Sequence, residues 1–324
     1  MASKNPILQS LKAYDLVISA FYIFLTVYII AFYPLIPRNN FYIVHNIFII
    51  AFSIFIAWSD KKYNNKFWRL LHYFYIAPLI LITFEELYFL IKPVRQVDFD
   101  WLFIKIDHWI FGVNPTEVLY KIACPLLTEI LQIVYGLFYF LPIILILALI
   151  RKKRYKASDY AVFSIIYGFY LSYLGYFALP GIGPRFTLHE FKNLNKELPG
   201  LVLTEPLREF TNNGESIHKD TPNPADVVQR DVFPSGHTML TLITMYLAIK
   251  LRSRSRYFIV PVGGLLIFAT VYLRYHYVID LIGGAAFMMF SLWTGRLLFN
   301  WWQRKLGNDE FYWAQDQKEL EFKH

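Results

Sequence analysis

The chain has 324 residues, of which 56% are hydrophobic and 19% aromatic while only 17% are charged. Its mean hydropathy of +0.37 is that of a protein dissolved in a bilayer, not of a water-soluble domain. Disordered, collagen-like and disulfide-stapled classes are excluded: the single cysteine, Cys124, has no partner in the chain, and no Cys/His set has zinc-ligand spacing, so no metal site is expected.

The N-terminus, MASKNPILQSLKAYD, carries two lysines and no small-residue cleavage site, so the first apolar run is expected to be a retained helix. Apolar stretches recur at about 13–36, 41–58, 67–91, 125–150, 157–179, 235–251, 257–273 and 277–302. They predict an all-α, multi-pass bundle of about eight spans. The 41–58 stretch is short, and the 125–150 stretch contains Glu129, Gln132 and Pro142. Between the third and fourth stretches, PVRQVDFDWLFIKIDHWIFGVNP mixes acids with Trp101, Phe103, Trp109 and Phe111. This suits an amphipathic segment in the membrane interface, a re-entrant loop being the alternative. Glu85, Glu86, Glu129 and Gln132 either line a polar pocket or bond between helices, whereas His45 and His72 read as structural. The tail 307–324 is polar and mixed in sign, as expected of a solvated extension. No repeat of fixed period is present.

The net charge is +8, from 32 Lys+Arg against 24 Asp+Glu. With the N-terminus cytoplasmic, 20 of the 32 cations fall on the inner side, including the RKKRYK cluster at 151–156. Six of the other 12 lie in one long loop, where the positive-inside rule carries little weight. Both termini are therefore expected inside, and the loop 180–234 and the turn near 274–276 outside. RKKRYK reads as a topology signal at anionic lipid heads; no stacking platform accompanies it, so no nucleic-acid partner is expected.

Three groups of residues converge on that outer side. In LPGIGPRF (179–186), glycines and prolines end the fifth stretch and present Arg185, whose fork suits a pair of anionic oxygens. In VFPSGHTML (232–240), Pro234, Ser235 and Gly236 open the sixth helix, with Ser235 as N-cap, free backbone amides facing out and His237 alongside. In YLRYHYVIDLIGG (272–284), His276 and Asp280 are four apart, placing them on one face of a helix, with Arg274 two residues earlier. A carboxylate on one ring nitrogen would leave the other free as nucleophile or base. Together they suggest a site that handles phosphate. His189 and His218, in the long loop, have no partner spacing and are left out of it.

Pro184-Arg185, Pro234-Ser235-Gly236-His237, and His276 with Asp280 resemble, in order, the three signature motifs of the type 2 phosphatidic acid phosphatase superfamily. That superfamily includes lipid phosphate phosphatases, glucose-6-phosphatase and the vanadium haloperoxidases. The motif spacings fit as well, 50 residues from Arg185 to Ser235 and 39 from His237 to His276. The resemblance covers about 67–302. It implies a six-helix catalytic core there, preceded by a two-span extension (1–66) and followed by a cytoplasmic tail (303–324). It implies a metal- and cofactor-independent membrane enzyme acting on a lipid phosphate monoester or pyrophosphate, in the cell membrane, with its site on the extracytoplasmic side. His276 would form a phosphohistidine, oriented by Asp280; His237 would protonate the departing alkoxide. Arg185, Arg274, Ser235 and the Gly236 amide would hold the phosphate oxygens. The sequence departs from the usual pattern in having Ala178 where a lysine is expected, Pro184 before instead of after the arginine, and Thr270 at the third-motif arginine. The LRYHYVIDLIGG wording is also similar to the inositol phosphorylceramide and sphingomyelin synthase branch, which implies a phosphotransferase as the alternative. A non-catalytic anionic-lipid binder or transporter is the second alternative.

Overall fold

The computed structural model describes residues 6–313, and among these every regular element is helical. Each of the eight apolar stretches forms helix. The first is α1 (Ala13–Ala31) and the second α2 (Asn39–Tyr63); the third divides into α3 (Lys66–Phe74) and α4 (Ile76–Val94). The interfacial segment is α5 (Asp100–Phe111), followed by the single turn α6 (Pro115–Leu119). The fourth stretch divides into α7 (Pro125–Gly136) and α8 (Phe140–Arg151), and the fifth is α9 (Tyr155–Ala178). The long loop carries α10 (Pro184–Thr187), α11 (Leu194–Glu197), α12 (Thr204–Gly214) and α13 (Pro224–Val227). The last three stretches are α14 (Gly236–Lys250), α15 (Arg256–Tyr272) and α16 (Val278–Leu306).

Both divisions have the same cause. Pro78 and Pro142 lack the N–H that would bond the carbonyl four residues back, and their rings crowd that carbonyl. The carbonyls concerned belong to Phe74, where α3 ends, and Phe138, in the break between α7 and α8. The α7–α8 pair is bent by 53°, whereas Lys66–Val94 still serves as one span. Among the described residues five segments are long and apolar enough to cross a membrane: α1, α2, α3–α4, α9 and α16; the bent pair would be a sixth. α14, with 15 residues, and α15, with 17, are shorter than the roughly 20 residues a full span takes.

α9 is the axis of the bundle, packing against α1, α4, α8, α14 and α16. Its side chains are buried nearly all round, Tyr160, Phe163, Ile166, Tyr170 and Tyr173 among them, which explains why it shows no single apolar stripe. One continuous apolar core runs from Leu11 in front of α1 to Phe311 beyond α16, so α1 shares its packing with the helices that carry the motifs. α14 packs against both α15 and α16, which gathers the start of α14, the end of α15 and the start of α16 at one end of the bundle.

Candidate active site

Arg185 stands on α10, after a turn in which Gly183 takes a φ of +93° and lies against the carbonyl of Tyr275; a Cβ there would meet that oxygen at 2.8 Å. Only glycine suits both demands. The Arg185 amide bonds the Arg274 carbonyl at 3.2 Å, so the first and third motifs are joined through backbone. Arg274 itself is in the left-handed region (φ +66°), two residues after the end of α15, and is 1% exposed. Such a conformation in a non-glycine residue is held by its surroundings: the amides of Tyr275 and His276 turn back onto the Thr270 carbonyl at 2.9 and 3.1 Å. Thr270, at the place of the expected arginine, therefore serves the turn through its backbone.

Ser235 is the N-cap of α14, its hydroxyl accepting from the Thr238 amide at 3.2 Å, while its own amide bonds the Asp280 carbonyl at 3.0 Å. Gly284 lets α16 approach that same turn; a Cβ would stand 2.8 Å from the Ser235 carbonyl. The second and third motifs thus meet backbone to backbone. His237 begins α14, held between Tyr135 (centroids 4.6 Å, stacked) and Phe138 (4.3 Å) from the α7–α8 bend. Its ring lies 5.6 Å from that of His276. The stack continues from Tyr135 to Tyr275 (4.4 Å), over which the Arg185 guanidinium lies at 4.7 Å.

His276 does not share a helix with Asp280: α16 starts at Val278, so His276 precedes the helix and Asp280 occupies its first turn. The Nδ1 of His276 hydrogen-bonds the Val232 carbonyl at 3.0 Å, and Asp280 lies farther off, at 3.4 Å. The Asp280 carboxylate accepts from the Tyr277 amide at 2.8 Å instead. Taking the carbonyl as acceptor fixes the tautomer: Nδ1 carries the proton and Nε2 the lone pair. Among the described residues no hydrogen bond engages Nε2 of His276. Burial pushes this histidine down to about 4, with Asp231 and the Val232 carbonyl opposing and Arg185 assisting, so the ring is neutral.

The two arginines are buried and already engaged. Arg185 pairs with Glu215 and bonds Asn212 at 3.2 Å; Arg274 pairs with Glu197. Burial lowers the Arg185 pKa without removing its charge. Yet among the described residues the Nε of each is buried without a hydrogen-bond partner. An orphaned donor of this kind costs on the order of 1–3 kcal/mol, which an anionic oxygen would recover. Among the described residues, no group of three or more His, Cys, Asp or Glu is placed to hold a metal ion.

Several contributors were not legible in the sequence. Asp231 is next to Val232, and its charge acts on both His276 and Arg185; burial pushes its carboxyl up. Tyr135, Phe138 and Tyr275 form the ring stack. Glu129, one of the unassigned acids, accepts from the amides of Leu201, Val202, Leu203 and Thr204 at 2.6–3.1 Å, anchoring the start of α12. Gln132 is fully buried with no hydrogen-bond partner among the described residues. His189 bonds Thr116 at 2.9 Å and His218 bonds Asn213 at 3.1 Å, both away from the histidine pair.

The described residues form an all-helical protein with several apolar helices of membrane-spanning length, in which two histidines and two arginines from three separated motifs meet at one end. The sequence pattern of the PAP2 superfamily matches residues 101–294, more than half of the chain. The chain belongs to the PAP2 superfamily, whose members are generally phosphatases or related phosphotransferases. No curated protein and no solved structure matches it at a significant level.

Proposed function

We propose that this chain is an integral membrane lipid phosphatase working through a phosphohistidine. The observation that carries the reading is the histidine pair: His276, with Nδ1 tied to the Val232 carbonyl and Nε2 free, facing His237 at 5.6 Å between ring centroids. In the first step Nε2 of His276 attacks phosphorus while the P–O bond to the lipid breaks, and His237, protonated when the anionic phosphate is bound beside it, gives its proton to the departing alkoxide. In the second step His237, now neutral, takes a proton from water as that water attacks the phosphohistidine, releasing inorganic phosphate and restoring both rings. The unpartnered Nε atoms of Arg185 and Arg274, with Ser235 and the Gly236 amide at the start of α14, hold the equatorial oxygens as their charge grows. Asp280 acts at one remove, fixing the Tyr277 amide that follows the nucleophile.

In this reading α14, α15 and the bent α7–α8 pair complete eight spans, with both termini cytoplasmic. Fifteen residues of helix reach only about 22 Å, short of a hydrocarbon layer of about 30 Å. The α14 end bearing His237 is thereby recessed below the outer surface, where a lipid phosphate can enter from the leaflet. The partners are the bilayer and a lipid phosphate.

The test is phosphate release by purified protein from a panel of lipid phosphates with EDTA present, vanadate as competitor and His276→Ala as control. Vanadate-sensitive release that the variant lacks supports the reading. Formation of a new phosphodiester lipid only when an alcohol acceptor is added would make the chain a phosphotransferase with the same first step. A cysteine introduced near Asn212, at the exposed Asn213, in a Cys124→Ala background is expected to react with an impermeant thiol reagent in intact cells; reaction only after lysis would invert the topology.

A further inference from the structure

α5 presents its faces in an unusual order. Asp100, Phe103 and Asp107, at i, i+3 and i+7, are 5%, 1% and 2% exposed, whereas Trp101 and Trp109 are 58% and 83% exposed. A helix resting on a soluble protein hides its aromatics and shows its acids to water. α5 turns both carboxylates inward and its tryptophans outward.

The buried acids find backbone amides of the motif turns. Asp100 accepts from Ile182 and Gly183 at 2.9 and 2.8 Å, two residues ahead of Arg185, and from the Tyr277 hydroxyl at 2.8 Å. Asp107 accepts from Val278 and Ile279 at 2.8 and 2.7 Å, the first two amides of α16. Between them Phe103 stacks on Phe233 at 5.2 Å, beside the second motif, and the Phe99 amide reaches the Pro180 carbonyl at 2.7 Å. With Asp280 on Tyr277, three successive amides after His276 are bonded to carboxylates. One helix thus touches all three motif turns, which lie more than 70 residues away in sequence.

We propose that Asp100 and Asp107 are positioning residues of the phosphoryl-transfer site, Asp107 setting the place of His276 and Asp100 that of Arg185 relative to it. The proposal rests on the phosphohistidine reading for its kinetic form and on the hydrogen bonds alone for its geometric form. Neither acid reaches the reacting atoms; each fixes a backbone that carries a side chain which does. The two therefore affect different kinetic constants. Displacing the nucleophile weakens only the chemical step, whereas displacing Arg185 also loosens the grip on the phosphoryl group in ground and transition states.

The test compares Asp107→Asn, Asp107→Ser, Asp107→Ala and Asp100→Asn with wild type and His276→Ala in lipid nanodiscs, reading kcat, KM, vanadate inhibition and amide hydrogen exchange. Asp107→Asn is expected to lower kcat by about 10–100-fold with KM within about twofold, the scale of a misplaced reacting group. Asp107→Ser, which keeps one acceptor oxygen in a capping position, is expected to recover part of the loss seen in Asp107→Ala. Asp100→Asn is expected to weaken vanadate inhibition about tenfold as well, the loss of roughly one charge-assisted hydrogen bond. Exchange is expected to quicken at 278–279 in the Asp107 variants and at 182–183 in Asp100→Asn, with protection in α9 unchanged. Wild-type kinetics in both asparagine variants would overturn the proposal. So would losses that follow protection in α9 and are not relieved by serine, since those mark a merely structural role. If wild type releases no phosphate, the phosphatase reading fails; unchanged exchange at 278–279 in Asp107→Asn then overturns the geometric claim independently.

Discussion

Two His–Asp clusters lie in this molecule, and they differ in what they leave unused. In one, His72 is fully buried with both ring nitrogens occupied: Nδ1 on Asp60 at 2.9 Å and Nε2 on Asp15 at 3.0 Å. Around it Tyr75 bonds Asp15 at 3.1 Å, and Lys12 and Tyr73 share Asp159 at 2.9 and 2.7 Å. The network joins the start of α1, the end of α2, α3 and the start of α9, fastening the first two helices to the rest. In the other cluster, His276 commits one nitrogen to a backbone carbonyl and keeps Nε2 free beside His237. Counting carboxylates near a histidine would rank His72 first. The free lone pair distinguishes them, because a nitrogen already in a short hydrogen bond to a carboxylate cannot attack phosphorus.

Alanine separates the two histidines most sharply. His276→Ala is expected to reduce turnover by at least about 10³-fold, the scale of losing a nucleophile, with little change in thermal unfolding. His72→Ala is expected to do the reverse. It leaves Asp15, at 0% exposure, without its partner, a loss of about 3–5 kcal/mol for a broken buried pair, while the rate of the folded fraction stays near wild type. Turnover assays beside thermal unfolding decide it; a His72 variant that unfolds normally and has no activity would place chemistry at the wrong end of the bundle. His237→Ala follows, with an expected loss of about 10²–10⁴-fold, the usual worth of a general acid. That loss should shrink for substrates with a good leaving group, such as an aryl phosphate, since such a group departs without a proton. An equal loss for both would deny His237 that role.

What the sequence disclosed and what it withheld follow the same physical line. The eight apolar stretches were readable because bilayer burial leaves a local mark, and Pro142 marked the fourth as irregular; the division ahead of Pro78 was not foreseen, although its missing N–H is just as local. The PSGH turn was readable because an N-cap serine is a side-chain device. The acceptor for His276 was not, because it is the carbonyl of Val232, and any residue at 232 has one. The stretch beginning at 277 placed the start of α16 to within one residue and left His276 outside it, so the i, i+4 spacing to Asp280 would describe a shared helical face only if the helix reached back to 276. Asp100 and Asp107 looked like the polar side of an interfacial helix, and only tertiary placement turns them inward.

Arg185→Lys tests a finer distinction, between charge and geometry. The guanidinium lies on Tyr275 and bonds Asn212 and Glu215, with Nε unpartnered. Lysine keeps the charge but lacks the second prong and the planar face. An activity loss of about 10–100-fold is expected, the equivalent of one or two charge-assisted hydrogen bonds. Retained vanadate inhibition and rate would show that Arg185 serves Glu215 and not phosphate.

The smallest expected effect concerns pH and rests on the neutral state of His276. Attack needs the lone pair on Nε2, so the rate of phosphoenzyme formation falls as His276 takes a second proton. For an ordinary histidine that limb is centred near pH 6.5, and at pH 5.5 only about a tenth of the rings would be neutral. Burial pushes His276 down to about 4, so single-turnover phosphoenzyme formation is expected to hold its His276-dependent rate to below pH 5. Asp231 opposes burial by favouring the imidazolium; Asp231→Asn removes that charge and should move the acid limb lower still. Arg185 acts in the opposite sense, and Arg185→Lys keeps its charge, so that variant should leave the limb in place while reducing the rate. A limb centred near 6.5 that Asp231→Asn does not move would mean that His276 is solvated in the working enzyme. The free nitrogen that sets it apart from His72 would then belong to an open, hydrated site and not to a dry one.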